Sequence, residues 1–524
     1  MNRIFSFLIT VSILFSQEQP YVKEKVVELG NFSIKVLNDG RCIAPTGDFE
    51  IPAVAWPTNS ITGDRAITFG HGLWLSGNQS DSLVGTGGYW APYYTPGPII
   101  NGQAAVIEAP QDTALYRSYY IDSQSGVGDT DYDEWPCGWG APCDEGGNPL
   151  LVGDQMLWTV YNDAHPSLHG WLEQNGEYLS NTDIEVRETY WSFEEGDLLS
   201  NTLFIKYQLY NRGPETLDSL MMTHWNDMDL QDASFNIPNY SLDHKAAYLY
   251  APNESIGHND LARVVSYFLI QGPVVEELGS NGFSFGEEVM DHRNLEETGF
   301  WGIRDDCCHG TLGGYAETIQ DVFNYSTGRR HDGSTIIDPI TNLPSNFTFT
   351  GDPITGSGWQ MESPGGGMAG YMVATGPITL LPGDSTELVF GLVPVGGDSI
   401  DVVIPNLLDR IDQVRSYYWA DVADVEDHPI IPESVKLMHP YPNPFNPSTA
   451  IEYELPERSD ISIVIYDVSG REVQTLVSAQ QIPGNYQVSW NGLDDKGVLV
   501  AGGMYFARLQ AGDYSSVVKM VYLK

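Results

Sequence analysis

Ile184-Glu185-Val186-Arg187-Glu188-Thr189-Tyr190-Trp191, Glu194-Glu195-Gly196-Asp197 and Leu203-Phe204-Ile205-Lys206-Tyr207-Gln208-Leu209-Tyr210 read in succession as strand, turn and strand. The first run alternates, and both are rich in β-branched and aromatic residues that suit a pleated surface. A hairpin of a large antiparallel sheet is predicted. Working outward, residues 32–37, 66–75, 218–225 and 246–250 are further strand-like runs, and Asn211-Arg212-Gly213-Pro214-Glu215-Thr216 is another tight turn. Repeated strands without intervening helices predict a mainly β fold whose largest part, residues 17–425, is a large antiparallel β-sandwich. One late helix is expected, because Ile404, Leu407, Leu408, Ile411, Val414 and Tyr418 recur at helical spacing. That apolar face predicts packing against the sheet. The 54 glycines, 32 prolines and 12% aromatic content agree with strands and turns over long helices.

Residues 426–440 are polar and proline-punctuated and read as a linker. The stretch 441–524 then opens on Tyr441-Pro442-Asn443-Pro444-Phe445-Asn446-Pro447, where three prolines fix φ, remove amide donors and exclude helix. Ile461-Ser462-Ile463-Val464-Ile465-Tyr466, Tyr486-Gln487-Val488-Ser489-Trp490 and Met504-Tyr505-Phe506-Ala507-Arg508-Leu509 are strands of a small immunoglobulin-like sandwich. Ser516-Val517-Val518-Lys519-Met520-Val521-Tyr522-Leu523-Lys524 closes it at an edge.

In order, YPNPFNPST, IYDVSGREVQTL, VSWNGLDDKGVLVAGGMYFARLQAG and VVKMVYLK resemble a type IX secretion C-terminal sorting domain of type A. They also resemble the immunoglobulin-like module of flagellar hook-capping proteins. The resemblance covers about the last sixth of the chain. It implies recognition by outer-membrane export and sorting machinery, and then removal of the domain. It assigns Tyr441, Pro442, Asn443, Pro444, Gly470, Trp490, Gly497, Gly502, Gly503, Tyr505, Gly512 and Lys519 as fold or recognition landmarks, with no catalytic group among them.

The other end agrees with export. A basic start and an apolar run at residues 4–15, too short to span a bilayer, read as a signal peptide over residues 1–16. No later run reaches a transmembrane length. The expected location is outside a Gram-negative cell, secreted or attached to its outer surface. A formal net charge of −45 excludes nucleic acid and anionic membrane as partners, since both would be repelled.

Five cysteines are too few for a disulfide scaffold, but export places them in an oxidising setting. Cys137 and Cys143 flank a turn-rich loop and are expected to form a disulfide. The adjacent Cys307 and Cys308 cannot bridge without strain, and Cys42 is a candidate partner. Two acidic loops are candidate calcium sites: Asp129, Asp131 and Asp133 on alternate residues, and Asp227, Asp229 and Asp232 in the second. Neither follows EF-hand order, and solvated acidic loops are the competing reading.

Catalytic signatures in their required context are absent from the sequence: no Gly-x-Ser-x-Gly elbow or dinucleotide fingerprint is set between a strand and a helix, and no H-E-x-x-H helix or phosphate loop occurs. Glu185, Glu188, Asp227 and Asp229 are the carboxylates that a glycoside hydrolase would pair in space. Trp74, Tyr89, Trp90, Tyr93, Tyr94, Trp135, Trp139, Trp158 and Trp171 are either core or platforms for polysaccharide. A non-enzymatic surface or adhesive protein is the leading expectation; a secreted carbohydrate-active hydrolase or binding protein is the alternative.

Overall fold

The computed structural model describes residues 22–43, 52–58, 66–87, 94–100, 102–104, 115–144, 146–164, 182–228, 230, 235–252, 262–303, 316, 318–361, 369–422, 435–438, 440, 443–445, 448–455, 459–481, 484–496, 498–512 and 514–523. The chain is mainly β and divides into two compact units. The larger holds most of residues 1–426; the smaller is centred on Asp427–Lys524.

Two antiparallel sheets carry the larger unit. The nine-stranded sheet runs Tyr119–Asp122, Gln155–Asn162, Ile184–Ser192, Leu203–Asn211, Ser385–Gly396, Ala262–Gln271, Ala246–Tyr250 and Ile237–Ser241, with Thr95–Pro96 added on Gln155–Asn162. The hairpin expected from the sequence sits at its centre, with Ile184 opposite Asn211 and Trp191 opposite Phe204. The six-stranded sheet runs Gly299–Ile303, Gly370–Leu380, Leu217–Asp227, Gly70–Gln79 and Cys42–Ile43, with Ser82–Gly87 on Gly70–Gln79. Their inner faces share one core, to which Tyr190, Ile205 and Leu209 contribute from one sheet and Leu73, Met222 and Val373 from the other.

The outer faces are covered too. Helix Ile400–Tyr417 lays Val403, Ile404, Leu407, Ile411 and Val414 on strands Ala262–Gln271 and Ser385–Gly396. Ala262–Gln271 is therefore buried along its whole length, as a strand enclosed on both faces must be. Arg415 fixes the helix end by donating to the carbonyls of His244, Lys245 and Leu269. On the six-stranded sheet, helix Ile319–Ser326 is started by a reciprocal Thr318–Asp321 capping box and packs Ile319, Val322 and Tyr325 among Trp74, Trp225 and Trp301.

The smaller unit pairs a three-stranded sheet (Lys436–Leu437, Thr449–Leu455, Gly484–Trp490) with a four-stranded one (Glu472–Gln481, Ser459–Asp467, Gly503–Ala511, Tyr514–Tyr522). Trp490 fills its centre and donates its indole N–H to the Leu493 carbonyl at 2.9 Å. Strand Lys436–Leu437 pairs with Thr449–Leu455, so ordered pairing begins inside the stretch that composition marks as linker.

Gly40 shows how closely turns press on the larger core. It has φ +78°, and an added Cβ would lie 2.2–2.6 Å from the Tyr161 ring. Strain in the left-handed region and overpacking add in the same direction. Gly40→Ala is expected to cost more than about 2 kcal/mol in urea unfolding; unchanged stability would show that the turn moves away freely.

Candidate functional site

Strand parity decides the fate of the two glutamates in the central hairpin. Successive side chains point to opposite faces, so Glu185 and Glu188 part company. Glu185 accepts from Arg187 at 3.1 Å, Arg212 at 3.2 Å and the Ile99 amide at 2.8 Å. Burial would raise its pKa, but Arg212 and then Arg187 hold it below the usual glutamate value. Glu188 points inward and lies opposite Tyr207 and Thr159 in register. The two do not form the facing carboxylate pair that hydrolysis of a glycosidic bond uses.

Inside, Glu188 belongs to a polar cluster that sequence reasoning missed. Tyr161, Tyr190 and Tyr207 surround it, and all four side chains are fully buried. Burial pushes the carboxyl up to about 8; the hydroxyls of Tyr190, Tyr207 and Tyr161 temper that rise, although none closes to a full hydrogen bond. His71 and His224 project from neighbouring strands of the six-stranded sheet and stack with ring centroids 5.2 Å apart. Tyr267 lies 5.1 Å from His71 and 4.6 Å from His224. None of the four imidazole nitrogens has a hydrogen-bond partner among the described residues. Burial drives His71 down to about 3; His224 is driven well below its usual value by burial and then by His71. Both rings are neutral donors or acceptors at neutral pH. Cys42, opposite His71 in register, is a buried free thiol raised first by burial. The signal was present in the hairpin: Glu188 occupies the same parity as Ile184, Val186 and Tyr190.

With every member at 0% exposure, this cluster offers no surface to a substrate. Its consequence is on stability. Glu188 ionises near 4.5 when unfolded but keeps its proton to about 8 in the fold. Its contribution is therefore complete below the unfolded value and drains as pH rises towards 8. Relative to Glu188→Gln, which stays neutral, the wild type should lose about 1.4 kcal/mol per pH unit across that window. Urea unfolding at several pH values tests this; parallel stability curves would contradict it.

The acidic loops are placed as follows. Residues Thr130–Asp133 form a single helical turn, where a loop was expected, because Asp133 reaches back to the Gly128 amide at 3.1 Å and Asp129 caps Gly126 at 2.8 Å. Asp131 turns the other way, onto Lys25, Arg117 and the Tyr120 amide. Burial would raise it; the hydrogen bonds from Lys25, the Tyr120 amide and Arg117, with the Lys25 charge, together outweigh this and hold it below the usual range. Asp227 is buried at the end of its strand. Asp229 and Asp232 lie outside the described residues. Among the described residues, no three His, Cys, Asp or Glu form a group able to hold a metal. Cys137 and Cys143 are both disulfide-bonded; Cys307 and Cys308 lie outside the described residues. Trp74, Tyr94, Trp135 and Trp158 are buried and Trp139 is half-buried with its ring centroid 5.3 Å from that of Tyr116, whereas Tyr89, Trp90, Tyr93 and Trp171 are outside the described residues.

In the smaller unit the two ends are joined. Asn443 donates to the Lys519 carbonyl and accepts from the Val521 amide, each at 2.9 Å. Phe445 N–H donates to the Val521 carbonyl, and Leu523 N–H to that of Phe445, both at 2.9 Å. The proline-flanked lead-in and the last strand are thus one pairing. Gly470, at φ +79°, closes the Asp467–Arg471 turn, where the Ser469 hydroxyl and then Arg471 hold the Asp467 carboxyl well below the usual range. Trp490 and Tyr505 are core, with ring centroids 4.9 Å apart; Gly502, Gly503, Gly512 and Lys519 are exposed. Tyr441, Pro442 and Gly497 lie outside the described residues; Pro444 follows Asn443 through a cis bond.

Residues 446–516 match the FlgD Ig-like domain family. An Ig-like domain is therefore found at residues 446–516. No curated protein matches the sequence. Among solved structures, a polysaccharide lyase aligns with 96% of this chain and 46% of its own at 8% identity and a TM-score of 0.25. This chain thus spans less than half of that lyase. The adhesin domain of Epf from Streptococcus pyogenes aligns over 70% of this chain and 90% of its own, at 6% identity and a TM-score of 0.13. Dimeric latent PorU from Porphyromonas gingivalis aligns over 70% and 31%, at 11% identity and 0.16. Scores this low transfer neither fold nor activity.

Proposed function

We propose that this chain is a secreted or outer-surface β-protein of a Gram-negative bacterium, exported by a type IX-like route with residues 441–524 as its sorting domain. The match of residues 446–516 to an Ig-like domain carries the reading. It is supported by the YPNP lead-in, the Lys519-containing last strand to which Asn443 ties it, and the basic-then-apolar start of the sequence. The partner of the sorting domain is the outer-membrane export and sorting machinery.

The cargo in this reading is a non-enzymatic surface or adhesive protein. Two observations favour that over a carbohydrate-active hydrolase. Glu185 and Glu188 face opposite sides of their strand, and Trp74, Trp135 and Trp158 are spent in the interior, although Trp139 is only half-buried.

Deleting residues 441–524 in a host carrying the matching machinery should strand the cargo in the periplasm, as fractionation and immunoblotting would show. Undiminished export of the truncated protein would refute the sorting role.

A further inference from the structure

The four-stranded sheet of the Ig-like domain breaks, on its outer face, the alternation that it keeps inside. Ile461, Ile463 and Ile465 point inward with Ala507, Leu509 and Met520, and all are buried. A face turned to water should be polar at the intervening positions. Val464, Tyr466, Met504, Phe506, Val517 and Val521 occupy many of them, interspersed with Ser462, Arg508, Gln510, Ser515 and Lys519. Met504 is 43% and Val517 56% exposed, so these are apolar groups left at the surface rather than a second core.

Two cations stand among them. Arg508 lies between Val464 and Val517 in one cross-strand row, and Lys519 lies beside Phe506 and Tyr466 in the next. Arg508 is held in place by donating to the Ser515 hydroxyl at 3.0 Å and the Gln510 side-chain Oε1 at 2.9 Å. Ser462, Val464, Tyr466, Arg508 and Gln510 line a shallow depression. Neither Arg508 nor Lys519 has an ion-pair partner among the described residues; at the border, Glu472 accepts from the Tyr466 hydroxyl at 3.4 Å. Positive charge is therefore presented within an apolar patch on a sheet face, which complements carboxylates set among apolar side chains. A second copy of this chain is the less favoured occupant, because each copy carries a net charge of −45 and the two repel.

We infer that this face of the Ig-like domain docks an acidic, partly apolar surface of the outer-membrane export machinery. The inference rests on the sorting role proposed above. Binding is centred on Arg508 and Lys519, with Val517 and Phe506 supplying apolar contact.

The full chain tests it in a host with the matching machinery, through four variants compared for extracellular fraction: Arg508→Glu with Lys519→Glu, Arg508→Lys with Lys519→Arg, Val517→Asp, and deletion of 441–524. Melting curves and light scattering of each purified full-length variant accompany the comparison. Charge reversal and Val517→Asp should each lower the extracellular fraction at least tenfold with unchanged melting, while the conservative pair stays within twofold of wild type. If deletion strands the protein but both face variants export normally, docking at this face is overturned and the sorting role stands. If deletion leaves export intact, both fall. Loss of export confined to variants with collapsed melting, or a change in molar mass without a change in export, also overturns it, the latter marking a contact between copies.

Discussion

The larger unit depends on the closure of a nine-stranded sheet over a six-stranded one, with further layers sealing both outer faces. That closure fixes which side of each strand faces the shared core and which faces the outer covering, and a shift of one residue would exchange them. In the central hairpin such a slip would bring Glu185 and Arg187 inside and expel Ile184, Val186 and Tyr190. The pairing of Ile184 with Asn211 through Trp191 with Phe204 is consequently held by the apolar burial of a whole face rather than by any single contact.

Closure also explains the chemistry of the interior. A chain with a formal charge of −45 keeps its ionised carboxylates outward or paired with cations, as Glu185 is with Arg187 and Arg212 and Asp131 with Lys25 and Arg117. Two buried carboxyls, Glu188 and Glu297, are instead pushed towards the neutral form. Burial raises Glu188 to about 8 and Glu297 to about 7. His71 and His224 do the same from the other side, remaining neutral. The belt of Tyr161, Tyr190, Tyr207 and Tyr267 lets these groups sit between the sheets, since phenol rings bring apolar bodies with polar tips.

Much of the architecture was legible from the sequence because its signals are local. Alternation over Ile184–Trp191, the helical spacing from Ile404 to Tyr418, and the ordered landmarks of the Ig-like domain each specify an element without reference to distant residues. The polar cluster was not legible, because its members come from strands more than a hundred residues apart and meet only when two sheets close. Parity alone could have placed Glu188 inward, but nothing local shows His71 stacking on His224. The acidic loop shows a related effect. Asp129, Asp131 and Asp133 look like one ligand set by spacing, yet Lys25 and Arg117, brought in by the fold, draw Asp131 away from the other two. Likewise Asn443 and Lys519 are joined across 76 residues of chain, which a motif reading could only juxtapose.

We propose that the C-terminal Ig-like domain is a self-sufficient address. Its most direct test is transfer: residues 435–524 fused behind a reporter with its own secretory signal, expressed in a host with type IX machinery, and the reporter assayed outside the cell. The reporter is expected in the medium or on the surface, and only with the fusion. A reporter that remains periplasmic, with the fused domain intact and folded, would contradict it.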